Sequence, residues 1–178
     1  MVNRLYKLAN IIDAILLKTG RICAWFLIPL TLVTLYDVVS RRFGGIGSTG
    51  LQEAEWHLHT LLFIFLFAGV MVKDMNVRVD VFRENFSEKT RLRVDLFGAL
   101  FLALPYLIAV IYFGYHFALM SFEQGEGSIS SHGLPHRWII KATIPIGMTL
   151  LLLATLSRII NICRQLHTLS TSSSGNPS

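Results

Sequence analysis

The chain has 178 residues, 53% of them apolar and 15% charged, with a mean hydropathy of +0.55. A soluble domain carries about 25% charged residues, so the composition excludes a water-soluble globule, and the length excludes a large multidomain enzyme. The net charge of +5 is read as a membrane topology signal and not as a nucleic-acid surface, because the basic residues flank apolar runs.

In chain order, the stretch 3–18 places Leu5, Leu8, Ile12, Ile15 and Leu16 at helical spacing, with Arg4, Lys7, Asn10, Asp13 and Lys18 between them. This pattern predicts an amphipathic helix that lies along the cytoplasmic interface or packs on a partner. No small-residue cleavage pattern closes the first apolar run, so that run is expected to stay in the mature chain.

Four apolar segments follow, at 22–39, 56–72, 96–120 and 138–156. Each is close to the roughly 17 to 25 residues that a helix needs to cross the hydrocarbon core. Lipid leaves bare backbone groups unsatisfied, so the segments are expected to be helices. The expected fold is an all-α integral membrane protein, one domain over 1–169, with four transmembrane helices and an N-terminal amphipathic interfacial helix. Pro29, Pro105 and Pro145 each remove a backbone donor and predict local bends. Gly98, Ala99, Ala103, Ala109 and Gly114 give the third span small residues for close helix contact.

Between spans two and three, the loop 73–94 carries Val77, Val79, Phe82 and Phe86 for the interface, and Ser87 followed by Glu88 as a helix start. It is expected to lie along the membrane surface. The segment 121–137, rich in Gly, Ser and His, reads as an exposed turn region, and 170–178 as a disordered polar tail.

The basic residues set the orientation. Arg4, Lys7, Lys18 and Arg21 precede span one, Lys73, Arg78, Arg83, Lys89, Arg91 and Arg93 fill the second loop, and Arg158 and Arg164 follow span four. Only Arg41, Arg42, Arg137 and Lys141 fall on the other side. Positive residues stay in the cytoplasm, so both termini are expected inside, in agreement with an even number of spans.

Cys23 and Cys163 have no CxxC spacing, and the sequence contains no nucleophile elbow, Walker loop or HExxH. It therefore assigns no catalytic residue, no metal site and no cofactor. One alternative of a different class is a four-helix haem-binding electron-transfer subunit, with His57 and His116 on facing helices as axial ligands. Lys141 lies within snorkelling reach of the outer interface. A charge set gathers at the outer ends of spans one and two: Asp37, Arg41, Arg42, Glu53 and Glu55, beside Trp56. Either it forms salt bridges within the chain or a partner protein reads it, because ionisable groups near membrane depth are costly unless paired or used.

Two stretches carry a family resemblance: LQEAEWHLHTLLFIFLFAGVMVKDMNVRVDVF from Leu51 to Phe82, and GEGSISSHGLPHRWIIKATIPIGMTLLLL from Gly125 to Leu153. An acidic cluster (Glu53, Glu55) precedes span two, an Arg-Val-Asp element (Arg78, Asp80) follows it, and Gly125, Glu126 and Ser128 precede Pro135 and Trp138 at the start of span four. In this order they resemble the small membrane subunit of tripartite ATP-independent periplasmic (TRAP) transporters, the DctQ-like family. Asn76 departs from the histidine that many relatives place before the Arg-Val-Asp element.

The resemblance implies a noncatalytic inner-membrane subunit without a cofactor, joined to a large multi-span permease that carries the sodium and substrate sites and is served by a periplasmic substrate-binding protein. It also implies solutes that bear carboxylates. The subunit would brace the scaffold against which the large subunit moves, with membrane lipids around it. Glu53, Glu55, Trp56, Arg78, Asp80, Glu126, Arg137 and Trp138 are the expected partner contacts.

Overall fold

The computed structural model describes residues 2–44, 47–75, 86–130 and 132–173. Its helices are α1 (Val2–Ala24), α2 (Leu27–Val39), α3 (Thr49–Val72), α4 (Glu88–Phe97), α5 (Leu104–Glu123) and α6 (Trp138–Ser173), and the described residues contain no strand. Four stretches are long and apolar enough to cross a membrane: Tyr6–Gly44, Thr49–Val72, Glu88–Glu123 and Trp138–Ser170. The chain is thus an all-helical protein with four candidate spans, as its periodicity predicts.

The prolines account for the interruptions. Pro29 has no N–H for the Trp25 carbonyl, which accepts from Ile28 instead, and α1 ends in a tight turn at Trp25 and Phe26 before α2 resumes the path. Ahead of Pro105 the helix widens into a π turn over Gly98–Ala103, in which the Leu104 N–H reaches back to the Ala99 carbonyl. That extra residue relieves the clash a proline ring makes with the preceding turn. Pro145 sits inside α6 without ending it.

Residues 3–18, expected along the interface, form most of α1, and the side that carries Ala9, Ile12 and Leu16 packs into the protein. Leu16 joins Ala68 of α3 and Ala154 of α6 in the core, with Ile12, Met71, Val72, Leu150 and Leu153 around them. The packed side is one step round from the stripe the sequence suggested, because small Ala9 and Gly20 let the backbones approach: a Cβ on Gly20 would lie 3.9 Å from the Cα of Gly69. The Ser157 hydroxyl donates to the Ala9 carbonyl at 3.4 Å and ties α6 to α1.

Helix α6 is the centre of the fold. It packs against α3 and α1, against α4, and most extensively against α5, whereas α2 leans on α3. The spans therefore form an open array in the order α2, α3, α6, α5, not a closed ring. Such an array leaves broad apolar flanks, with Leu32, Phe63 and Phe113 all exposed. Helix α6, at 36 residues and about 54 Å, exceeds a hydrocarbon core of about 30 Å. It runs to Ser173, so 170–173 of the segment expected to be disordered is helical. Residues 76–85 of the second loop, with Arg78 and Asp80, lie outside the described residues.

Candidate functional site

The polar groups with the most connections gather where α3 begins and α6 starts. Ser48 caps α3, its hydroxyl accepting from the Leu51 N–H at 3.4 Å. One turn further on, Glu53 points into the protein and is 4% exposed. Its carboxylate accepts the Leu134 N–H at 2.6 Å and the Ser128 hydroxyl, and lies 4.0 Å from the Arg137 guanidinium.

The segment that Glu53 holds is shaped by its own sequence. Gly125 has φ +58°, and it closes α5 with two bonds, from the Gly125 N–H to the Phe122 carbonyl and from the Glu126 N–H to the Ser121 carbonyl. This Schellman arrangement needs the left-handed conformation that glycine adopts without strain. The loop is then cinched by the Ser128 N–H on the Leu134 carbonyl, 3.2 Å, and the Arg137 N–H on the Glu126 carbonyl, 3.0 Å. Gly133 is required by space: a Cβ there would come 2.0 Å from the Ser128 Oγ and 2.9 Å from the Glu53 Oε2.

A second ion pair joins Glu126 to Lys141, whose ammonium lies 4.0 Å from the centroid of the Phe117 ring. Lys141 thus has a defined place between the loop and α5. Asp37, also buried, accepts from the Arg41 Nε at 2.7 Å. Arg41 in turn reaches the Gln52 amide oxygen at 2.8 and 3.2 Å when the amide is turned to face it. Arg41 therefore serves Asp37 and Gln52, and Glu53 is matched by Arg137.

Of the expected partner contacts, the structure draws Glu53, Glu126 and Arg137 into this network. Trp138 stands beside it, edge-on to Phe122 with ring centroids 5.2 Å apart. Trp56 points outward, 61% exposed, and Glu55 is half-buried with its Oε1 unpartnered among the described residues. Ser128, Leu134 and Lys141 were not singled out as ligands of the two glutamates by reasoning on charge alone. The glycines at 125 and 133 were the available signal, since they mark a loop folded tightly enough to present backbone donors.

At the opposite end Arg158 of α6 bridges Asp74, just past α3, and Asp95 of α4. Asp13, Asn161 and Gln165 share the surrounding cavity of about 280 Å³. His57 and His116 lie on α3 and α5, which both pack on α6. The His57 ring engages the Glu53 carbonyl, and His116 stacks edge-on with Tyr112 and Tyr115. This arrangement gives the haem reading no support.

Compared with known families, residues 30–165 match the profile of tripartite ATP-independent periplasmic transporters, DctQ component. The chain belongs to the DctQ family. The match begins within α2 and ends within α6, so it takes in the last part of the first span, the second and third spans whole and most of the fourth, and leaves out α1. No curated protein matches the sequence. As a DctQ chain it is the small permease component of a TRAP transporter, a multi-pass membrane protein from a transporter family and not an enzyme family.

The Lys141 ammonium holds the Glu126 carboxyl below the usual carboxylate range. A depressed folded-state value means that the contribution is complete above the unfolded carboxylate range, about pH 4.3, and is lost as the pH falls through the lower folded value. The melting temperature should therefore fall as the pH drops below about 4.3, with a shallower fall in Glu126→Gln. Equal acid sensitivity in both proteins would rule out this pair as a source of stability.

Proposed function

We propose that this DctQ chain braces the fixed scaffold of a large multi-span permease without a transport site of its own, in a sodium-coupled system that imports carboxylate-bearing solutes delivered by a periplasmic binding protein. The observation that carries the reading is the open helix array fastened at both ends. Glu53 with Arg137 and Glu126 with Lys141 fix one end, Arg158 with two aspartates fixes the other, and the flanks between them are apolar. In lipid, helices associate by close packing, so a stiff array with uncovered flanks suits a brace beside a moving neighbour.

The twelve-to-four split of basic residues supports placing both termini in the cytoplasm of the inner membrane, and hence the Glu53 loop in the periplasm. On this reading Glu53, Glu126 and Arg137 act by holding a shaped loop towards the partners, while Trp56 and Trp138 meet the membrane interface or the permease. Arg78 and Asp80 are kept as proposed contacts on the cytoplasmic side. An affinity-tagged chain, coexpressed with the large multi-span permease of the same transporter, should carry that permease through gel filtration in mild detergent. Elution of the tagged chain alone, folded and free of the permease, would contradict the proposal.

A further inference from the structure

Helices α5 and α6 enclose between them an apolar groove of about 810 Å³ that opens to the side of the array. Its floor is made by Ala118, Ala142 and Pro145, and Tyr112 and Tyr115 stand on its α5 wall. Thr149, on the opposite wall, already donates its hydroxyl to the Pro145 carbonyl at 2.7 Å. The two tyrosines are exposed, and their hydroxyls have no hydrogen-bond partner among the described residues.

Depth makes those hydroxyls informative. The Phe122–Trp138 ring pair closes the outer end of the groove, at the level of an interfacial aromatic belt. Tyr115 and Tyr112 lie about 10 and about 15 Å further along the helix. In a hydrocarbon core of about 30 Å, Tyr112 is thus near the midplane, out of reach of headgroups and water. Acyl chains offer no acceptor there, whereas a neighbouring helix offers side-chain oxygens and freed carbonyls. The small floor residues also allow the close approach that helix pairing in lipid requires.

We infer that the α5–α6 groove is the seat of a transmembrane helix of the large permease subunit, which presents acceptors to Tyr112 and Tyr115. This deepens the proposed function and rests on it. The hydrogen-bonding demand of the two hydroxyls is what selects a polypeptide over lipid as the occupant.

The test uses the coexpressed complex in its own membrane, with p-benzoylphenylalanine replacing Ile146 on the groove or, as a control, Leu32 on α2. Irradiation should join the chain to the large permease from position 146 and not from position 32. The Tyr112→Phe and Tyr115→Phe changes keep the rings, and each should lower recovery of the permease about threefold. The melting temperature of the isolated chain should not change. Adducts at position 146 only with lipid, or with a second copy of the chain, while the permease still copurifies, would overturn the groove assignment and leave the proposed function standing. Failure of the unaltered chain to retain any permease would overturn both.

Discussion

Glu53→Ala should open the loop between α5 and α6 to protease while leaving the four spans folded. The substitution strips the Ser128 hydroxyl and the Leu134 N–H of their acceptor and leaves Arg137 without its nearest counter-charge. Buried donors left unmade cost more than the bonds contributed, and local opening follows that cost directly. Trypsin cleavage after Arg137, followed by the masses of the two fragments, should accelerate on the order of tenfold. Gly133→Ala should act similarly without touching the carboxylate, because its methyl group would occupy the position of the Ser128 hydroxyl. Cleavage at the unaltered rate in both variants would show that Glu53 does not hold the loop.

The second large effect is expected at the crossing of α3 and α6. Gly147 is buried, and a Cβ there would come 1.7 Å from the Cγ2 of Ile64 and 3.2 Å from its Cβ. A rotamer change of Ile64 relieves the first contact but not the second, so Gly147→Val should separate the helices. Overpacking of this kind costs about 1 to 3 kcal/mol. Gly98→Ala, where nothing lies within 4 Å, provides the control and should leave the melting temperature unchanged or slightly raised. Combining Gly147→Ala with Ile64→Ala should recover most of the stability lost in Gly147→Ala, as expected for two residues coupled by direct contact. A simple sum of the two losses would place the crossing elsewhere.

These sites show how far the sequence could be read. Periodicity, span length and the distribution of basic residues depend on the solvent that each segment meets, and they were legible without tertiary information: four spans, the proline interruptions and the start of α4 at Ser87 all follow from local chemistry. Packing was less legible. The stripe of large residues on α1 pointed to Leu8 and Ile15, yet both are exposed, and the buried face includes Ala9 and Gly20. In a membrane, close approach of backbones competes with hydrophobic bulk, so the smallest residues can mark the interface.

The candidate site was legible by residue type but not by partner. Asp37 and Arg41 pair at the four-residue spacing that a helix dictates. Glu53, in contrast, finds its partners 75 and 81 residues away, on a loop whose fold depends on the conformation of Gly125 and the bareness of Gly133. Charge counting placed Arg41 and Arg42 beside it because they are close in sequence. Topology brings Arg137 closer.

Uptake into proteoliposomes tests the central claim most directly. The chain alone, the large permease alone and the two together should be reconstituted with an inward sodium gradient and the binding protein loaded with its radiolabelled solute. The account predicts background uptake for this chain alone and robust uptake for the pair. Sodium-dependent uptake by this chain without the large permease would contradict it.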